Sequence, residues 1–160
     1  MLSAVRLRVV VVGKDRGDPL LTAADAYLDR VKHYMPVELV EVKEVPLKKG
    51  SAVDQVKAEE AKRLEKVLAP DELRVVLDER GQLLSSEELA GRVDRWMQDG
   101  LRSVALVIGG PSGLDPAFMR QARERWALSR MTLPHRMARL LLSEQLYRAF
   151  TILRGEPYHK

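Results

Sequence analysis

Cysteine is absent from this chain, which removes disulfides and thiolate chemistry at once. The three histidines are scattered without HExxH-like spacing, so neither a zinc site nor another metal is implied. No apolar run approaches the ~18 residues needed to span a bilayer, and Val9 to Val12 is too short and wrongly flanked for a signal peptide. A cytoplasmic protein with no membrane partner is the expectation. Also missing are a GxGxxG dinucleotide fingerprint, a GK[ST] phosphate loop and a GxSxG nucleophile elbow, so Ser112 carries little catalytic inference. No repeat, low-complexity segment or linker interrupts the 160 residues, which at 46% hydrophobic suffice for one compact domain over residues 1–160.

What is present is an alternation of strand and helix patterns. Residues 5–12 form a β-branched run ending at Gly13, after which Leu21, Ala24, Leu28, Val31 and Met35 recur at helical spacing until Pro36. Residues 37–42 alternate apolar and acidic side chains as a half-buried strand does, and 43–51 reads as an exposed loop. Val53, Val56, Glu60, Leu64 and Val67 place a helix with a densely charged outer face. Residues 73–77 predict a strand closing on Asp78-Glu79-Arg80-Gly81, and Ser85-Ser86-Glu87-Glu88 a capping box for a helix carrying Leu89, Val93, Trp96 and Met97. Residues 103–108 are the expected sheet centre, because strands covered on both faces lose their polar alternation. Asp115-Pro116 opens a helix to about Arg125. The last helix begins near His135 and is expected to bury Ala138, Leu141, Leu142, Leu146, Ala149, Phe150 and Leu153. The fold class is α/β, a single domain whose mostly parallel sheet is flanked by helices.

Two turns in the last third look built for a ligand. Ile108-Gly109-Gly110-Pro111-Ser112-Gly113-Leu114 places three glycines within five residues at the carboxyl end of a predicted strand, where open α/β sheets keep their ligands. A second turn follows at Leu128-Ser129-Arg130-Met131-Thr132-Leu133-Pro134-His135. Lysine and arginine number 27 against 23 aspartate and glutamate, a formal +4, and arginines concentrate after position 120. A basic face toward nucleic acid fits that concentration; a solvated surface of mixed sign fits the net charge equally well.

The ordered set LDERG at 77–81, SSE at 85–87, IGGPSG at 108–113, LSRMTLPH at 128–135, EQLYRAF at 144–150 and PYH at 157–159 resembles the RlmH family of SPOUT methyltransferases along the whole chain. The resemblance implies an S-adenosylmethionine-dependent enzyme that methylates N3 of a pseudouridine in bacterial 23S rRNA, working as a homodimer on assembled ribosomes. It also implies a trefoil-knotted C-terminal half, which periodicity cannot reveal. Carried onto this sequence, the cofactor residues are Leu77, Gly109, Leu128, Ser129, Arg130, Met131, Thr132 and Leu133. Arg148, Tyr158 and His159 are the candidates for substrate orientation and charge stabilisation, with His159 the candidate base. Glu144 and Arg154 are the substrate-binding candidates, Glu144 also by orienting Arg148 and Arg154 by contact with RNA phosphate.

The residues by themselves leave alternatives open. Residues 128–133 equally fit a short strand whose leucines pack the core, Arg148 a surface or dimer ion pair, and His159 an exposed tail residue. Leu140, Leu141, Leu142, Leu146 and Phe150 give the last helix an apolar face that fits either a two-fold mate or a buried monomer helix. A non-enzymatic ribosome-binding factor and a SPOUT enzyme acting on tRNA are the rival functions.

Overall fold

Alternate residues of the two longest apolar strands point to opposite faces of one sheet, and that sheet organises the molecule. The computed structural model describes residues 5–160. Its elements run β1 (Arg6–Val12), α1 (Pro19–Val31), β2 (Val37–Val42), α2 (Val53–Val67), β3 (Leu73–Leu83), α3 (Ser86–Gln98), β4 (Ser103–Ile108), α4 (Pro116–Arg120), β5 (Glu124–Ala127) and α5 (His135–Leu153). The strands lie in the order β2-β1-β4-β3-β5, and every neighbouring pair is parallel. β4 is central, as its continuous apolar run predicts. Val9, Val11, Leu106 and Ile108 meet α1, α3 and α5 on one face, while Val10, Val12, Ala105 and Val107 meet α2 and α4 on the other.

Local chemistry sets the helix starts. Asp18 caps α1 by accepting from the Leu20 amide at 2.8 Å ahead of Pro19, and Ser85 and Glu88 close the expected capping box at 3.0 and 2.9 Å. At the amino edge of the sheet, the buried Arg8 donates to both oxygens of Glu72 at 2.8 and 3.0 Å, to Glu38 and to the Val67 carbonyl. Glu72 also accepts from Ser103 Oγ and the Ala69 amide, so the buried pair is fully matched.

Three expectations are corrected. The helix opened by Asp115-Pro116 ends at Arg120 rather than Arg125, and Glu124–Ala127 forms a strand instead. β3 does not stop at Leu77; it continues to Leu83 across an irregularity, with Leu77 and Gln82 both facing Trp126, so that residues 78–81 bulge out of the ladder. Leu153, expected in the core, is exposed at the end of α5, and Ala138 and Leu141 are half-buried.

The bulge depends on a glycine. A Cβ on Gly81 would lie 2.7 Å from the carbonyl carbon and oxygen of Arg125, backbone atoms that cannot turn aside. Gly81→Ala therefore destabilises the fold by about 1–3 kcal/mol, the usual range for overpacking. A lower urea midpoint with unchanged slope checks this.

Candidate functional site

Because all strands run the same way, their carboxyl ends share one edge, and the connections there form a cleft of about 680 Å³. The bulge of β3, the glycine loop after β4 and the turn after β5 supply its walls. Of the residues the resemblance assigns to the cofactor, Leu77, Gly109, Leu128, Ser129, Met131, Thr132 and Leu133 line it and Arg130 lies outside the lining. Residues 128–133 form a turn and not a packing strand.

Each wall is fixed by the chain itself. Gly113 has φ +86°, a conformation that favours glycine, and its amide donates to the Gly110 carbonyl at 2.9 Å. At Gly109 the requirement is space, since a Cβ there would lie 2.9 Å from Leu114 Cγ. In the second turn Ser129 Oγ accepts from the Met131 amide at 2.9 Å, and Thr132 Oγ1 donates to Glu79 at 2.6 Å, tying the turn to the bulge of β3. Where α5 begins, Arg136 grips Asp15 at 2.9 and 3.1 Å and Asp18 at 2.9 Å. The Arg136 guanidinium, with His135 adding to it, holds the Asp15 carboxyl below its ordinary range. The sequence reading left Lys57, Glu79 and His135 out of the lining. Lys57 on α2, Glu79 in the bulge of β3 and His135 at the start of α5 come together only in the fold, and no local spacing signals that.

The other predicted group gathers elsewhere. Glu144 accepts from Arg148 at 2.6 and 2.9 Å and from the Tyr158 hydroxyl at 3.1 Å. The Arg148 guanidinium lies 4.7 Å from the Tyr158 ring centroid, and Tyr158 packs edge-on against Tyr147. A guanidinium can only donate, so Arg148 Nη1 gives a hydrogen bond to His159 Nδ1 at 3.1 Å, and a neutral His159 gives its Nε2 proton to Glu87 at 2.8 Å. Both ring nitrogens are thus engaged, and the tail is anchored. Burial, with hydrogen bonds to Tyr27 and Glu144, pushes the Tyr158 phenol up to about 12. Hydrogen bonding to Glu144 raises Arg148 above its ordinary value. Arg154 stacks over Tyr34 at 5.4 Å and has no carboxylate partner among the described residues.

The cleft meets the first turn of α5 through His135 and Ala138, while the cluster uses Glu144 and Arg148 further along. Ten positions separate Ala138 from Arg148, about 15 Å at 1.5 Å per residue. Leu142, Leu146 and Phe150 are spent inside the chain's own core, while Leu140 and Leu141 remain half-buried.

A parallel α/β sheet with a glycine-walled cleft at its carboxyl edge defines a small-molecule-binding enzyme fold. No helix among the described residues is long and apolar enough to cross a membrane. Residues 5–159 match the family described as "Predicted SPOUT methyltransferase". The chain is 52% identical over 156 residues to the ribosomal RNA large subunit methyltransferase H of Anaeromyxobacter dehalogenans (strain 2CP-C), covering 98% of this chain and 100% of that protein. It is 43% identical over 158 residues to the protein of that name from Chromohalobacter salexigens, with coverage of 98% and 100%. A probable methylase family protein from Haemophilus influenzae Rd KW20 shares the fold, with a TM-score of 0.56 and 19% identity over 100% of this chain and 72% of that one. The chain belongs to the SPOUT methyltransferase family.

Proposed function

We propose that the protein transfers a methyl group from S-adenosylmethionine to N3 of a pseudouridine in 23S rRNA of assembled large ribosomal subunits, as a cytoplasmic homodimer with a trefoil-knotted C-terminal half. The observation that carries the reading is the cleft itself. Its volume falls within the range of small-molecule sites, and Leu77, Leu128 and Leu133 offer apolar walls beside exposed main chain. Asp78 and Glu79 in the lining are offset by Lys57 and Arg80, so the cleft carries charges of both signs. The knotted path is supported by β5 lying across β3 from β4, with α5 returning to pack on α1 and α3.

The donor supplies an electrophilic methyl on a sulfonium. The protein's task is to align the acceptor nitrogen and favour loss of its imide proton. Arg148 is the cation for that purpose, stabilising negative charge on the base. Glu144 and Tyr158 hold Arg148, and His159 orients it through Nδ1. Arg154 is free to meet phosphate. Arg148 lies ten residues along α5 from Ala138, the last cleft residue on that helix, or about 15 Å, and in the proposed dimer a two-fold mate brings one subunit's tail to the other's donor site.

Incubating ribosomes from a strain lacking this activity with the protein and labelled donor, followed by nucleoside mass spectrometry, tests the reading. The expected product is a singly methylated pseudouridine in the large-subunit RNA, formed poorly on naked rRNA. Label in tRNA, or no label together with no heat of donor binding, overturns it in favour of a tRNA enzyme or a non-enzymatic ribosome-binding factor.

A further inference from the structure

The glycine loop has a second side. Pro111 and Ser112, which line the donor cleft, also wall a separate cleft of about 530 Å³ formed with Val45, Pro46, Leu47, Val53 and Glu60. We propose that this second cleft holds an unstacked nucleotide of the RNA strand beside the target base, with the base against Leu47, Val53 and Pro111 and its phosphates on Lys48 and Lys49. The inference rests on the RNA-methyltransferase reading above.

Three independent observations converge there. Leu47 and Val53 are large aliphatic side chains left 56% and 44% exposed at one rim, an apolar surface that none of the described residues covers. Lys43, Lys48 and Lys49 sit on the loop that carries Leu47, and none has a carboxylate partner among the described residues. Aliphatic surface flanked by unpaired ammonium groups is complementary to a nucleotide, which offers a flat face and an anionic backbone together. At the floor lies Glu60, only 4% exposed, whose Oε2 accepts from the Val45 amide at 2.9 Å while its Oε1 has no partner among the described residues. That unmatched oxygen is enclosed beneath the glycine loop, in the wall the two clefts share.

The framing of the cleft fits this task. Arg63 donates to the Lys43 carbonyl at 2.9 Å and the Glu44 carbonyl at 3.3 Å, so α2 holds the base of the loop while Leu47, Lys48 and Lys49 project beyond it. Glu60 Oε1 also faces the underside of the glycine loop, 3.6 Å from where a Cβ on Gly110 would lie. Burial pushes the Glu60 carboxyl above its ordinary range. A nucleotide seated here leaves its neighbour next to Ser112, at the mouth of the donor cleft.

The double variant Lys48→Ala/Lys49→Ala and the single variant Leu47→Ser change only exposed loop positions. Both are expected to bind the methyl donor with wild-type affinity by calorimetry and to keep kcat on ribosomes. The double variant raises KM for ribosomes about tenfold and lowers the salt slope of binding to a short single-stranded RNA by about 1.4, at ~0.7 per lost phosphate contact. A 4-thiouridine-substituted RNA should crosslink to residues 45–53 of the wild-type protein. Unchanged KM in both variants, or crosslinks that map only elsewhere or to a ribosomal protein, overturns the proposal. Absence of ribosome methylation by the wild-type protein rejects the enzyme reading instead, and the crosslinking result still decides the cleft.

Discussion

A one-to-one mixture of Arg148→Ala and Leu133→Arg proteins, each inactive alone, regains about a quarter of wild-type activity after the subunits are allowed to exchange. The first variant removes the cation that stabilises the deprotonated base, a loss of about 10²-fold or more if it acts on developing charge. The second places a guanidinium in the donor cleft that Leu133 lines, where it repels a sulfonium and fills its space. Random exchange puts half of the dimers in the mixed state, and each mixed dimer has one intact composite site of two. If Arg148 served the cleft of its own chain, no combination of these subunits would contain a working site. Recovery therefore separates a shared site from an internal one, and a mixture no more active than its components rejects the two-fold arrangement.

Glu72→Ala should lower stability by about 3–5 kcal/mol, the range for breaking a buried ion pair from one side. The variant leaves Arg8 enclosed between β1 and the end of α2 with Glu38 as its remaining carboxylate partner, and strips an acceptor from Ser103 and from the Ala69 amide. Burial by itself pushes the Glu72 carboxyl up, but the Ala69 amide, Arg8 and Ser103 together outweigh it and hold the group below its ordinary 4.5. A depressed carboxyl contributes stability that is present above the unfolded value and is lost as pH falls through the folded one. Wild-type stability should therefore decline on acidification below about pH 4.5, and Glu72→Ala should flatten that decline. Urea titrations of both proteins between pH 7 and 3 check the sign. A variant as stable as wild type at neutral pH would show that the network is dispensable.

Most of the scaffold was legible because its strands are continuous apolar runs and its helices carry caps. β5 was not, because its four residues include Glu124 and Arg125 and show a single buried pair, Trp126 and Ala127, too little pattern to separate from a helix end. The extension of β3 was hidden for a related reason. Asp78 to Gly81 read as a closing turn, and only the pairing of both Leu77 and Gln82 with Trp126 reveals a bulge between two ladder segments. The cleft at the carboxyl edge of the sheet was legible through its glycines and the second turn, whose lining role follows from backbone path. The separation of Arg148 from that cleft was invisible, since residues 144–159 and 108–133 look contiguous in sequence logic until the length of α5 is laid between them. Glu60 shows the same limit: helical spacing put it among buried positions, but nothing local indicated that one of its oxygens would go unmatched.

The chain's two tryptophans, Trp96 on α3 and Trp126 on β5, lie in parallel with ring centroids 5.7 Å apart and planes 4° from coplanar. Trp126 pairs in register with Leu77 and stands two residues ahead of Leu128, both of which line the donor cleft. Both indoles thus stand at the seam beside this cleft, so a change in intrinsic tryptophan emission on titrating S-adenosylmethionine would register its binding without a label.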